Sequence, residues 1–519
     1  MIKRLLIFLI LLIAVPCWGA VYVDPLCDSG APHYACDDGS TYLKPQAAWP
    51  SPPTVDTRQL CGTTYTGVIA ASNGSILLGA YNADGSHEDG GNETFGQNCS
   101  GGEAKPIIDN GVTGVTQTGE DAIVITASGV EVNSLAFEEN DIHIDVRADD
   151  AIVRYTYMKE GNYGIQLGWY ADADNFTAEY NYIDLEASSP DGGGLTIDGI
   201  GVGYYAQSGT VQYNYITGFD HDGINLHSCD NIVIQYNKIE AGVNEEEDIC
   251  ISSNSITSSF NAPDSNVIRY NYCKNAGLGM QIWGMVDNEI YANVFTCDGD
   301  EQPSTNTACI KIYSDSDSAY DGAQVTGNKF YNNVVYDNDN YTDGYGFQIV
   351  VGAGTNASNS VANNWFVNNV IEKINDYCFR VVDNADIVGT NYFYNNICYD
   401  RDGGSYSDIE GDPDITADDF NTGIESASGN LGTNPSLSNP AGGEFWPDSS
   451  SDPVVGTGYT LSSPYNQLLV YTSDFTASPP VVNLQTQEDN NIGAYVSSDA
   501  GPVESTYPLQ GAAGDFKYN

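Results

Sequence analysis

The chain has 519 residues, and its 70 acidic against 17 basic side chains give a formal net charge of −53. Such a surface repels nucleic acid and anionic membranes, which excludes both as partners. Only 17% of the residues are charged, while glycine (55) and tyrosine (36) are abundant, so this is not a disordered acidic tail but an all-β composition with an acidic surface.

The first elements concern address rather than fold. Lys3 and Arg4 precede an apolar run from Leu5 to Val15, and Gly19 and Ala20 supply small residues for cleavage. Residues 1–20 therefore read as a secretory signal peptide, too short to anchor the mature chain. Pro16 before Cys17 departs from a lipidation box, so cleavage after Gly19 or Ala20 is expected. No later apolar stretch reaches membrane-spanning length, and the expected location is secreted, extracellular or cell-surface. Cleavage leaves 11 of the 12 cysteines, an odd number. In an oxidising compartment, Cys27 with Cys36, Cys61 with Cys99, and Cys297 with Cys309 are candidate loop disulfides. Cys273 and Cys398 fall on core positions of a repeat, so at least one thiol is expected to stay free and buried.

That repeat organises the middle of the chain. An apolar-x-x-Asn-x-apolar pattern recurs with asparagine at 181, 214, 237, 271, 293, 328, 364 and 396, in steps of 33, 23, 34, 22, 35, 36 and 32 residues. Thr156 and Leu135 fill the asparagine slot in two earlier copies. The shortest steps match one turn of a three-sided parallel solenoid, and the longer ones add a surface loop. Between copies lies a second strand with period-two alternation, as in Ile224-Asn-Leu226 and Ile310-Lys-Ile312. The asparagines are expected at equivalent corners, stacked into a hydrogen-bonded ladder. Three parts follow: a cap with the first coils over 21–104, regular coils over 105–400, and an irregular segment with a tail over 401–519.

On these residues the chain resembles the pectin-lyase-like superfamily. Tyr22-Val-Asp-Pro25 resembles its opening strand, Gly74 to Tyr81 with Lys105 to Asp109 its second coil, and Asn491-Ile-Gly-Ala-Tyr495 the closing motif of many bacterial members. The resemblance implies a right-handed parallel β-helix with an N-terminal cap. It also implies business with extracellular polysaccharide, since the superfamily includes lyases, glycoside hydrolases, depolymerases and non-catalytic surface proteins. Fold does not fix the reaction.

A groove on one sheet is then expected, lined by outward residues of the second strand of each coil. Strict alternation gives one column through His143, Gln166, Thr196, Asn225, Cys250, Gln281, Lys311, Gln348 and Arg380. The next column runs through Asp145, Gly168, Asp198, His227, Ser252, Trp283, Tyr313, Val350 and Val382. In that reading Asp198 orients His227 as proton acceptor, and Lys311 stabilises negative charge or acts as an alternative base. Asn225, Gln281, Trp283, Tyr313 and Arg380 bind substrate, with the two rings as platforms for sugar faces.

The resemblance implies lyase chemistry in which a uronate carboxylate is neutralised, often by Ca²⁺, before proton abstraction. Polygalacturonase-type hydrolases are also echoed: His221-Asp222-Gly-Ile-Asn225 and Glu247-Asp248-Ile-Cys250 resemble two of their motifs. Gly277-Leu-Gly279 stands where a Gly-His-Gly is needed, which counts against hydrolysis by that mechanism. For Ca²⁺, the acidic triplet Asp315, Asp317 and Asp321 is a candidate, with similar spacing at Asp337, Asp339 and Asp343 and at Asp412, Asp414 and Asp418. The alternative is a non-catalytic β-helix serving adhesion or assembly, because no complete catalytic motif is present.

Overall fold

Inward apolar residues at equivalent positions of successive coils build three parallel sheets around one stacked core. The computed structural model describes residues 121–399 apart from position 134 and segments at 186–196, 242–247, 255–261, 298–306, 315–323, 338–343, 352–360, 375–376 and 383–390, together with most of 426–495 and short strands elsewhere. The expected signal peptide, the disulfides Cys27 with Cys36 and Cys61 with Cys99, and the calcium triplet Asp315, Asp317 and Asp321 lie outside the described residues. So do Asp339, Asp343 and Asp418 of the other triplets.

Sheet 1 has 14 strands in chain order, among them Ile152–Arg154, Phe176–Glu179, Gly209–Gln212 and Ile232–Gln235. The short strands Val21–Val23, Thr57–Leu60 and Ile76–Leu78 extend it at its start. Sheet 2 holds the short strands that follow the asparagine corner, such as Tyr182–Asp184, Tyr215–Thr217 and Lys238–Glu240. Sheet 3 holds Asp198–Val202, Asp222–His227, Ile249–Asn254, Leu278–Trp283, Thr307–Ser314, Gly344–Val351 and Tyr377–Val382. Two 11-residue strands, Ala136–Val146 and Tyr157–Leu167, run through both sheets 2 and 3. This is the right-handed parallel β-helix that the resemblance implied. Its core is a file of stacked side chains, with Ile200, Ile224, Ile251, Met280 and Ile310 fully buried. Towards the C-terminal coils the file turns aromatic, with Phe330, Phe366 and Phe393 stacked 4.9 and 4.8 Å apart. One coil cannot bury its own inner face, so stability is shared between neighbours.

The asparagine ladder is present, with one correction. Thr156 opens it, its hydroxyl donating to Asn181 Oδ1 at 2.7 Å, and the amides of Asn181, Asn214, Asn237, Asn271, Asn293, Asn333, Asn369 and Asn396 each donate to the next side-chain oxygen at 2.9–3.1 Å, ending on Asn430. Asn328 and Asn364 belong instead to a second ladder with Asn288 and Asn391, one corner earlier. Both sites fit the same sequence pattern five residues apart, so the pattern alone cannot choose between them. The left-handed residue is the one before the asparagine: Tyr155, Tyr180, Tyr213, Tyr236 and Tyr270 have φ of 54–61°. Holding a tyrosine there costs about 1–2 kcal/mol, offset by coil-to-coil ring stacking at 4.8–5.5 Å and by the ladder.

Three disulfides, Cys250–Cys273, Cys297–Cys309 and Cys378–Cys398, tie sheet 3 to sheet 2 inside the core. Cys297 with Cys309 is as expected. Cys250 points inward rather than into the groove, and Cys273 and Cys398 are bonded rather than free. The free buried thiol among the described residues is Cys229.

The C-terminal segment runs back along the outside of sheet 2. There Phe445, Val454, Leu468, Leu469, Ile492 and Tyr495 bury against Tyr272, Val294, Val334, Val370 and Ile397. Asn332 and Asn368 donate to the carbonyls of Tyr465 and Tyr459 at 2.8 and 2.9 Å, which pins the strap in register. Sheet 2 is therefore covered along these coils, and function falls to the other two faces.

Candidate active site

The outward faces of sheets 1 and 3 are both polar, but they differ in whether their groups are partnered. On sheet 1 the polar groups satisfy one another in a continuous file. Arg154 bonds Glu131, Gln212 bonds Glu179, Gln235 bonds Gln212, and Arg269 joins Gln235 to Tyr291, all at 2.7–2.9 Å. On sheet 3 the equivalent file leaves Gln166 Oε1, Asn225 Oδ1 and Gln348 Oε1 buried with no hydrogen-bond partner, along with Trp169 Nε1 and His227 Nδ1. Each such atom costs about 1–3 kcal/mol, and their concentration on one face means that this face takes its remaining partners from water, an ion or a ligand.

The register of sheet 3 departs from strict alternation. Ile200, Ile224, Ile251 and Met280 pair in sequence along the inside. The residue before each also points in, because the chain turns the corner between sheets there. Where that position is glycine, as at Gly223, a Cβ would lie 2.4 Å from Ile239 Cγ2; at Cys250, Cys309 and Cys378 a disulfide fills the same space. Two consecutive inward residues shift the outward set. One column therefore runs Asp145, Gln166, Gly201, Asn225, Ser252, Gln281, Lys311, Gln348 and Arg380. Asp198 and Asp222 stand in a second column two residues before Ile200 and Ile224.

This shift overturns the expected Asp198–His227 pair. Asp198 meets His221 instead, Nδ1 to Oδ1 at 3.0 Å, and the same nitrogen lies 3.0 Å from Asp222 Oδ2. Asn225 completes the group, its Nδ2 donating to Asp222 Oδ2 at 2.6 Å. Asp198 and Asp222 are buried, while the His221 side chain stays 32% exposed. Burial pulls the His221 pKa down, but the hydrogen bonds and charges of Asp198 and Asp222 outweigh it and hold it at about 11. Asp222 is pushed up to about 6, chiefly by burial and against the pull of His221. The cluster thus places a carboxylate that exchanges its proton near neutrality beside an imidazolium that keeps its own.

His227 sits elsewhere. Its ring packs on Trp169 with centroids 4.6 Å apart, and burial drops its pKa to about 3, far too low for the base role expected of it. Lys311 lies three strands along the column from Asn225, about 14 Å at the strand spacing, so it cannot serve the same atom as Asp222. Lys159, Lys238, Lys274 and Lys329 all lie on carboxylates; Lys311 has no such partner among the described residues. Its ammonium sits 4.5 Å over the Tyr313 ring, and burial lowers its pKa. Trp283 and Tyr313 are column neighbours as expected, but they stack on each other at 4.5 Å, so one face of each ring is already used. Arg380 lies over Tyr345 and donates to its hydroxyl at 2.5 Å. Gln281 lies between Ser252 and Lys311.

Asp198, His221 and Asp222 also have ligand atoms within 4.8 Å of one another. One imidazole and two carboxylates differ from the all-oxygen shell that calcium takes, and Nδ1 is already engaged by both acids. The sequence signal for this centre was the stretch from His221 to Asn225, which fixed alternation read as one outward residue rather than three. Trp169 carried no signal, because its place depends on the missing side chain of Gly201.

No family model matches the chain, and no curated protein matches it. Among solved structures it is similar to the Azotobacter vinelandii mannuronan C-5 epimerase AlgE6 A-module, with TM-score 0.45 and 12% identity over 73% of this chain and 91% of that one. It is also similar to DFA-IIIase from Arthrobacter chlorophenolicus A6, with TM-score 0.43 and 11% identity over 66% and 84%. The Streptococcus pneumoniae surface protein and adhesin PfbA follows, with TM-score 0.40 and 13% identity over 68% and 91%.

Proposed function

We propose that this chain is a secreted enzyme that binds an acidic extracellular polysaccharide along sheet 3 and cleaves it at the Asp198–His221–Asp222 cluster. The observation that carries the reading is the contrast between two polar faces of one solenoid. Sheet 1 satisfies its own hydrogen bonds, whereas sheet 3 keeps buried donors and acceptors unpaired. A hydroxyl-rich sugar chain supplies both kinds of partner. The anionic preference rests on Lys311, a desolvated cation with no carboxylate among the described residues of a chain with net charge −53.

Elimination is the favoured chemistry. Asp198 and Asp222 have ligand atoms within 4.8 Å of each other, too close for the water of an inverting hydrolysis, which needs about 6.5–9.5 Å, and both are engaged by the same imidazole nitrogen rather than facing a sugar from two sides. Instead, Asp222 takes the proton beside a uronate carboxyl group, the electron pair forms the ring double bond, the bond to the leaving sugar oxygen breaks, and that oxygen takes a proton from water while Asp222 later returns its own to solvent. His221 holds positive charge next to the developing carbanion, and Asp198 holds His221.

Lys311→Met is expected to weaken binding of uronate-containing oligosaccharides about 10- to 100-fold, the worth of one charge-assisted hydrogen bond, and to leave neutral oligosaccharides unchanged. Titration calorimetry on both ligand classes checks this; equal losses for both would remove the anionic preference. Trp283→Ala is expected to weaken both classes while the protein stays folded, because it removes a ring that lines the same groove.

A further inference from the structure

The turns that leave sheet 3 carry the same three-residue pattern on two successive coils. Gly168-Trp169-Tyr170 follows Tyr157–Leu167, and Gly203-Tyr204-Tyr205 follows Asp198–Val202. Leu167 and Val202 pair in register, so the two triplets stand one above the other, about 4.8 Å apart along the solenoid. The coils on either side place Arg147-Ala148-Asp149 and His227-Ser228-Cys229 there instead.

The glycines let the two turns close on each other. Gly168 has a φ of 69°, and a Cβ on Gly203 would lie 2.6 Å from the Gly168 carbonyl oxygen. The Tyr205 N–H donates to that carbonyl at 3.0 Å, and the Ala173 N–H donates to the Tyr205 carbonyl at 3.3 Å. The first ring of each triplet forms a base. Trp169 lies over Gly201, where a Cβ would stand 2.7 Å from its Nε1, and Tyr204 meets it edge-on at 6.1 Å. The second ring is left outside. Tyr170 is 60% exposed and Tyr205 39%, and among the described residues only Tyr459 is a comparably exposed large apolar side chain. Both rings are nonetheless fixed. Arg147, bound to Asp121 and Asp145, lies 4.6 Å from the Tyr170 centroid, and Tyr205 packs on Tyr204 at 4.8 Å. Rings held in this way lose little freedom on meeting a ligand.

Area decides what kind of ligand fits. Together the two tyrosines offer about 200 Å². That is well short of the ~800 Å² per partner of a stable protein interface, but it matches one or two pyranose rings. The C–H face of a sugar covers an aromatic ring while its hydroxyls stay with water and the phenol tips. We propose that Tyr170 and Tyr205 form a second carbohydrate-binding platform, separate from the Asp198–His221–Asp222 cluster and at the opposite edge of sheet 3. Asp198 opens the strand that Tyr205 follows, which puts about 15 Å between them. The platform holds pyranose faces without regard to charge, because Arg147, the cation beside it, is already engaged by two carboxylates. It anchors polymer and takes no part in cleavage.

The test is native affinity electrophoresis in gels that contain soluble uronate-containing or neutral polysaccharides, with turnover measured alongside. Tyr170→Ala combined with Tyr205→Ala is expected to lower affinity for both classes about tenfold and to leave turnover at saturating substrate unchanged. Tyr170→Phe combined with Tyr205→Phe is expected to keep the affinity, since the ring faces remain. Thermal unfolding confirms that the variants are folded, and in the unaltered protein bound polysaccharide is expected to shield Tyr170 and Tyr205 from nitration. Undiminished affinity of the alanine variant for a polysaccharide that the wild type binds overturns the platform and leaves the proposed function standing. Tyrosine-dependent binding by a protein that cleaves no member of the panel does the reverse, and binding to no polysaccharide overturns both.

Discussion

Asp222→Asn is expected to lower turnover by about 10²- to 10⁴-fold, the contribution of a positioned general base, with the coils intact. Asparagine keeps the size of the side chain and its acceptor towards His221 and Asn225, so the loss isolates the proton-accepting role. The pH dependence carries a sign. Asp222 must be ionised to act, and its pKa stands at about 6, so wild-type activity falls as the pH drops through that value. His221 keeps its proton until about pH 11, so it adds no alkaline limb below that. Stability moves oppositely for the imidazole. Its folded pKa lies above the ordinary 6.5, so its contribution is full below pH 6.5 and is lost as the pH rises towards 11. Thermal unfolding of wild type and His221→Gln across that range checks this, since the variant is expected to lose that alkaline decline. An Asp222→Asn protein with undiminished turnover would remove the base assignment.

The second large effect is structural. Asn271 sits in the middle of the ladder, fully buried. Its oxygen accepts from the Asn237 side chain and backbone N–H, and its amide donates to Asn293 Oδ1 and the Ile234 carbonyl, all at 3.0 Å. Asn271→Ala removes these four bonds; Asn237 Nδ2 keeps the Val211 carbonyl and Asn293 Oδ1 keeps the Asn271 backbone N–H, so the Asn237 N–H and the Ile234 carbonyl are the groups left wanting. At about 1–3 kcal/mol for each unsatisfied group, a loss of about 2–6 kcal/mol is expected, enough to loosen the neighbouring coils. Denaturant unfolding measures it. A loss under about 1 kcal/mol would mean that water or a neighbour satisfies the ladder and that it is not what holds the corner.

The sequence made the solenoid plain because one turn of it is short and repeats, and each repeat spends an asparagine on a corner where four hydrogen bonds must close. It did not separate two corners five residues apart: Asn328 and Asn333 both follow the pattern, and only strand pairing tells which ladder each joins. The groove was partly legible. Lys311, Gln348 and Arg380 fell in one column, as did Trp283 and Tyr313, because alternation holds from the inner isoleucine onward. It failed upstream of that residue, where Gly199, Gly223 and Cys250 also point inward, and so Asp198 was matched with His227 rather than with His221 and Asp222. The place of Trp169 over Gly201 was out of reach for another reason: a glycine gap on one coil receives a ring from the coil before it, and neither residue is unusual alone. The covered state of sheet 2 has a trace in the sequence, since its outward positions pass from Tyr182, Tyr215 and Lys238 to Val294, Val334, Val370 and Ile397, but the strap that requires this change, from Phe445 onward, is distant in the chain.

Sheet 3 is proposed to process an acidic polysaccharide by elimination. Incubating the purified protein with a panel of uronate-containing and neutral polysaccharides, and following unsaturated products by ultraviolet absorbance alongside new reducing ends, tests it most directly. Both signals are expected to rise together on a uronate polymer and neither on a neutral one. Reducing ends without unsaturation, or tight binding with no turnover on any member of the panel, would contradict it.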